Sequence, residues 1–217
     1  MSARGLGRRR FLKVGGTAAG ALVAGGAGVW ATSPNVPMPE ASYPGSAEAH
    51  GKVLVAYASK AGSTAEVAAF IARKLADTGL AVDLRRTRSV RSVDGYRAVV
   101  VGSAIRAGQW LGDATDFVKT HRDALAARKA AFFTLCMTLH EDTPASREKV
   151  AGYLKPVREV LNPDWIESFA GKMDYGRLAF GTRLVVKAMK VPEGDFRNWD
   201  AIGSWADRLA REIPATA

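Results

Sequence analysis

From Lys52 onward the chain alternates short apolar runs with stretches of helical period, and this alternation restricts its fold more than any other feature. Lys52-Val-Leu-Val-Ala-Tyr-Ala58 and Arg97-Ala-Val-Val-Val-Gly102 are β-branched and apolar throughout. Runs of that kind form strands buried on both faces. Ala130 to Met137 is a third such run, and Ile166 to Met173 a weaker one. Val82 and Leu84 alternate with Asp83 and Arg85, as in a half-exposed edge strand. Between the strands, Val67, Phe70, Ile71 and Leu75 fall at helical spacing. So do Ala114, Phe117, Val118 and Leu125, and Trp199, Ile202, Ala206, Leu209 and Ile213 near the end. Pro144 to Leu161 reads as a helix that Pro156 kinks or breaks.

Strands alternating with helices require a parallel sheet covered by helices on both faces, an α/β three-layer sandwich. The five strands fit the order 2-1-3-4-5, which puts the most polar strand at an edge. The folded unit is expected over residues 52–215. A single cysteine excludes an intrachain disulfide framework and a cysteine-built metal site, and three scattered histidines give no metal cluster.

In sheets of this type, ligands bind at the carboxyl ends of the strands beside the switch in strand order. The loop Ser59-Lys60-Ala61-Gly62-Ser63-Thr64 stands there, before the first helix. Gly62 permits close backbone approach, the hydroxyls of Ser59, Ser63 and Thr64 can donate, and the helix N-terminus attracts an anion. Lys60 can add charge. Ser and Thr at this place also cap a helix without any ligand, so a phosphate site and a simple cap both stand. A P-loop and a dinucleotide fingerprint are both absent. A phospho-acceptor receiver needs acids after strands one and three; Ser59-Lys60 and Gly102-Ser103 stand there instead.

The formal net charge of +10 points at first to nucleic acid or anionic lipid. Five of the bases (Arg4, Arg8, Arg9, Arg10 and Lys13) lie in the first 31 residues, where there is no acid. What remains is +5, spread over the chain with no nucleic-acid motif, and nucleic acid is set aside. The basic stretch is followed by Gly- and Ala-rich residues from Val14 to Trp30 and by Val29-Trp30-Ala31, a layout expected of a secretory signal over residues 1–31. The order Arg-Arg-x-Phe-Leu-Lys in Arg8-Arg9-Arg10-Phe11-Leu12-Lys13 resembles the twin-arginine export signal, with Gly7 where Ser or Thr usually precedes the pair. A retained membrane anchor is the other reading, at the lower edge of spanning length. The expected location is the periplasm or the outer face of the cytoplasmic membrane, reached by the twin-arginine machinery. Residues 32–51, with four prolines, are expected to form a flexible linker.

Ser59-x-Ala61-Gly62-Ser63-Thr64 resembles the flavin mononucleotide (FMN) phosphate loop of the flavodoxin superfamily, with Ala61 where a hydroxyl or acid is commoner. Within that superfamily the chain is most similar to the flavodoxin-like protoporphyrinogen IX dehydrogenases. Val100 to Gly108, Asp116-Phe-Val-Lys-Thr-His121, Phe169-Ala-Gly-Lys-Met-Asp-Tyr175 and Gly194-Asp-Phe-Arg-Asn-Trp199 carry this likeness. The resemblance implies a flavodoxin-like fold, FMN as cofactor, and an oxidoreductase that passes electrons to a redox partner or a quinone. It implies that Ser59 to Thr64 hold the phosphate. Ser103, Ala104, Ile105, Arg106, Gly108 and Trp110 flank the flavin ring, with Trp110 or Ile105 stacking on it. Thr134, Cys136 and Met137 run along the other ring edge. No catalytic acid, base or nucleophile is implied, because the flavin carries the electron chemistry. A non-enzymatic flavodoxin-type electron carrier is the alternative, and a fold that has lost its flavin is a third.

Cys136 reads as a small core residue, His140 as a surface-loop histidine and His121 as a surface or boundary residue. Arg85, Arg86, Arg88 and Arg91 read as a charged edge that deters strand pairing. In residues 177–190 Leu178, Phe180, Leu184, Val185, Ala188 and Met189 mix with Arg177, Arg183, Lys187 and Lys190. Such a basic amphipathic segment either lies on an anionic membrane surface or packs with its cations extended to water.

Overall fold

The structure, a computed structural model, describes residues 36–46 and 51–213. The N-terminal segment read as an export signal lies outside the described residues. The elements in chain order are β1 (Ala41–Tyr43), β2 (Lys52–Ala58), α1 (Ser63–Ala76), β3 (Ala81–Arg86), β4 (Tyr96–Arg106), β5 (Gln109–Trp110), α2 (Gly112–Thr120), α3 (Arg122–Ala126), β6 (Lys129–Cys136), α4 (Pro144–Val160), β7 (Trp165–Ala170), β8 (Lys172–Met173), α5 (Phe180–Ala188), β9 (Gly194–Asp195) and α6 (Trp199–Glu212).

β3, β2, β4, β6 and β7 lie side by side and all parallel, in the expected 2-1-3-4-5 order. The sheet is larger than five strands, however, and it is mixed. β1 adds antiparallel to β3, and β5 folds back antiparallel on β4, which makes seven. β8 and β9 form a separate two-stranded sheet.

Successive residues of β2 point into opposite layers. Val53, Val55 and Tyr57 join one core with Ile71 and Leu75 of α1 and Ile202, Trp205 and Leu209 of α6. Leu54, Ala56 and Ala58 join the other, with Phe117 and Val118 of α2, Leu125 of α3, and Leu154 and Val157 of α4. This two-sided burial is why the strand reads as an unbroken apolar run. Gly102 of β4 is opposite Phe133 of β6, and a Cβ there would stand 1.9 Å from the Phe133 Cζ. Only glycine lets that ring close over the sheet.

The linker expectation and the edge expectation both change at β1. Residues 36–46 run along the sheet, and β3 is no longer its edge. Asp83, the polar residue that suggested exposure, is 5% exposed. Ser42 Oγ donates to its Oδ1 (2.5 Å), Tyr96 OH to its Oδ2 (2.9 Å), and Arg85 reaches Oδ1 at 3.1 Å. Arg85 also donates to the carbonyl of Ala41 (2.5 Å). So Arg85, read as a deterrent to pairing, instead fastens the added strand. Tyr57 OH donates to the Pro39 carbonyl (2.8 Å) and holds the segment farther back.

Pro156 neither breaks nor ends α4, which continues to Val160. The missing N–H leaves the Gly152 carbonyl without its helical donor. Gly152 and Pro156 are both exposed, so water can serve that carbonyl. The helix is also firmly started, by a capping box between Thr143 and Ser146 with Pro144 at its first position.

Candidate functional site

α1 begins at Gly62, which has φ +89° and offers no side-chain cap to the helix. The first intrahelical bond is donated by Glu66 N–H to the Gly62 carbonyl (2.9 Å). Earlier N–H groups of the turn therefore have no helical acceptor. Ser59 Oγ accepts from Gly62 N–H (3.1 Å) and closes the loop on itself. Thr64 Oγ1 is fully buried and has no hydrogen-bond partner among the described residues. An orphaned buried hydroxyl costs stability unless something outside the chain pairs with it. A phosphate at this helix N-terminus fits that requirement.

The loop opens on a cavity of about 420 Å³ at the carboxyl ends of β2, β4 and β6. Ser59, Lys60, Ala61 and Ser63 line it from the first loop. Ala104, Ile105, Arg106 and Gly108 line it from the second, and Cys136 and Met137 from the third. Lys60 also approaches Asp113 at the start of α2 (3.9 Å). Burial holds the Arg106 guanidinium below its ordinary pKa. Cys136 is buried beside Leu139 and Val150, and its Sγ accepts from Thr138 N–H (3.4 Å).

Three expected ring contacts face elsewhere. Trp110 is buried in the helix-side core against Phe132 (ring centroids 5.1 Å), and its Nε1 donates to Thr134 Oγ1 (2.8 Å). One bond thereby turns both residues away from the cavity. Ser103 is also buried: its hydroxyl donates to the Ala104 carbonyl and accepts from Leu111 N–H, each at 3.0 Å. It shapes the loop from beneath. His140 is not a free surface histidine. Its Nδ1 is 2.8 Å from the Met137 carbonyl, and its ring stands edge-on to Phe196.

The fourth wall was not among the expected site residues. It is built by Gly171, Lys172 and Met173, then by Leu178 and Ala179, by Thr182, Val185, Val186 and Met189 of the α5 region, and by Val191. Tyr153 of α4 closes another side. The apolar periodicity of 177–190 was a signal for this wall. The outer face of the same segment carries exposed Phe180 (74%) and Leu184 (54%).

This wall is anchored beside the loop Ser59 to Thr64. Glu66, in the first turn of α1, accepts from Arg177 (2.6 Å) and Arg197 (2.8 Å). Arg197 is almost fully buried, also grips Asp195 (2.5 and 2.8 Å), and lies 4.5 Å from the Trp199 ring centroid. Burial alone would raise the Glu66 carboxyl, but the two arginines outweigh it and hold it below its ordinary range.

A family model described as flavodoxin domain matches residues 54–199. The protoporphyrinogen IX dehydrogenase [quinone] of Escherichia coli (strain K12) is 24% identical over 173 residues, 73% of this chain and 94% of that protein. The protein of the same description from Leishmania major is 28% identical over 175 residues, 73% of this chain and 74% of that one. Among solved structures, the rubredoxin oxygen:oxidoreductase of Desulfovibrio gigas aligns at 17% identity with a TM-score of 0.44. That alignment covers 75% of this chain and 36% of the other, so this chain spans about a third of its length. A flavodoxin from the domain Archaea aligns at 16% identity with a TM-score of 0.42, over 75% of this chain and 98% of its own.

Proposed function

This chain belongs to the flavodoxin domain family, and from that membership we propose that it is an FMN-binding oxidoreductase similar to protoporphyrinogen IX dehydrogenase. The observation that carries the reading is the fully buried Thr64 hydroxyl, without a hydrogen-bond partner among the described residues, in the first turn of an uncapped helix whose neighbouring Ser63 lines the cavity. Ser59 to Thr64 would hold the phosphate. The loops around Ile105 and Met137 would flank the ring. FMN, when bound, supplies one- and two-electron transfer. The chain's own part is to bind, orient and exclude water: Val185, Val186 and Leu178 make one wall apolar, while Lys60, Arg106 and Lys172 bring positive charge to its rim.

A quinone is the acceptor proposed, on the printed description of the Escherichia coli and Leishmania major relatives. The outer face of α5, apolar and flanked by Arg177, Arg183, Lys187 and Lys190, fits the surface of an anionic membrane. No described helix is long and apolar enough to cross one. Export by the twin-arginine route to the periplasm or the outer face of the cytoplasmic membrane completes the proposal, and it rests on Arg8-Arg9 and the apolar stretch after them.

The test is the visible spectrum of purified protein incubated with FMN, followed by turnover of a porphyrinogen with a quinone analogue in the presence of anionic vesicles. Flavin absorbance that survives gel filtration, with quinone-dependent turnover, supports the reading. Absence of bound flavin sinks it. Bound flavin that reduces and reoxidises without porphyrinogen turnover favours the electron carrier.

A further inference from the structure

We propose that Tyr153 is the aromatic side chain that packs on the flavin ring, an inference that rests on the cavity holding FMN. Trp110, the aromatic residue that loop position favours for this role, is locked to Thr134 inside the core. Among the described residues that line the cavity, Tyr153 is the only aromatic one.

Its place in the fold suits the ring end of the ligand. The phosphate loop follows β2. Tyr153 comes from α4, which packs on β5 and on the 3-10 turn after β6. It therefore stands toward β4 and β6, across the cavity from the phosphate loop, with neighbouring strands about 4.8 Å apart. A ligand anchored by its phosphate at Gly62 and extended along the strand ends reaches Tyr153 with its other end.

The side chain is held before any ligand arrives. It packs partly buried against the cluster of Cys136, Leu139 and Val150. It also lies against the turn between β4 and β5, where Ala107 (φ +50°) and Gly108 (φ +75°) are both left-handed. A Cβ on Gly108 would stand 3.2 Å from Tyr153 Cε1 and 3.4 Å from Cδ1. Glycine thus serves the turn and admits the ring at once. An aromatic ring fixed in this way stacks on a flat heteroaromatic ligand with little entropy left to lose.

The phenol allows a test that does not depend on turnover. A phenol in van der Waals contact quenches flavin emission, and a phenyl ring of the same shape quenches far less. Full-length protein and its Tyr153→Phe and Tyr153→Leu variants are loaded with FMN or riboflavin. Affinity is read by equilibrium dialysis and the emission of the bound flavin by fluorescence. Tyr153→Phe should keep FMN affinity within about twofold, because the stacking surface remains, yet its bound flavin should emit more strongly. Tyr153→Leu should emit more strongly and lose about 3- to 10-fold in affinity for FMN and riboflavin alike. Wild-type protein that binds FMN with emission and affinity unchanged in both variants overturns this inference alone. Wild-type protein that binds no flavin overturns the proposed function and this inference with it.

Discussion

The indole Nε1 of Trp110 donates to the hydroxyl of Thr134 across 2.8 Å, and both side chains are buried. The pair joins the loop after β4 to the end of β6 directly beneath the cavity. Replacing Thr134 by Val keeps the shape and strands a buried N–H, at a cost of about 1–3 kcal/mol. Urea denaturation should show that loss, while Thr134→Ser stays close to wild type. Flavin affinity equal to wild type in Thr134→Ser would agree with a residue that supports the site from below.

Thr64 should behave in the opposite way. Its hydroxyl has no partner among the described residues, so Thr64→Val removes an unsatisfied polar atom and leaves stability equal or slightly higher. FMN affinity should fall by about 10-fold or more, the worth of a hydrogen bond to a charged group. Riboflavin, which lacks the phosphate, should bind both proteins equally. Equal losses for the two ligands would place Thr64 outside the phosphate contact.

Gly102→Ala tests the sheet itself. The new methyl would fall 1.9 Å from the Phe133 ring, which is packed near Trp205 with nowhere to retreat. Overpacking of that kind should cost about 3 kcal/mol in a denaturation experiment. The double variant Gly102→Ala with Phe133→Leu should recover part of it.

Asp83 makes the N-terminal strand sensitive to pH. Burial alone would raise its carboxyl, but hydrogen bonds from Ser42 and Tyr96 and the charges of Arg85 and Lys52 outweigh it and hold the pKa below its ordinary value. Burial, and then the same contact with Asp83, push the Tyr96 hydroxyl up to about 12, so it remains a donor. A lowered carboxyl contributes stability that is complete above the unfolded value of about 3.9 and fades as pH falls through the folded one. Amide exchange at residues 41–43, corrected for intrinsic rate, should therefore speed up on acidification below that range. In Asp83→Asn it should be fast and flat across the same pH range.

The parallel core was legible because strands buried on both sides carry no polar residues to blur the pattern, as in Val53 to Ala58. β1 was not: three residues between prolines give no periodic signal, and their pairing depends on Asp83 and Arg85 more than 40 positions away. The loop Ser59 to Thr64 stood out by its glycine and hydroxyls. Trp110 stands just after the loop that follows β4, but a sequence carries no sign of which way an indole turns, and that depended on Thr134, 24 residues on. Residues 177–190 showed an amphipathic face without showing that part of it lines a cavity. Tyr153 was silent because nothing within α4 separates an aromatic residue at a cavity wall from one packed in a core.

Glu66 meets Arg177 and Arg197, 111 and 131 residues along the chain. Closing loops of that length costs entropy that only an assembled sheet can repay. By that argument the Glu66 clamp is expected to close only after the sheet has formed, and the wall it anchors with it. A growing chain can display the whole loop from Ser59 to Thr64 and still lack an enclosed cavity until its final helices have emerged and docked.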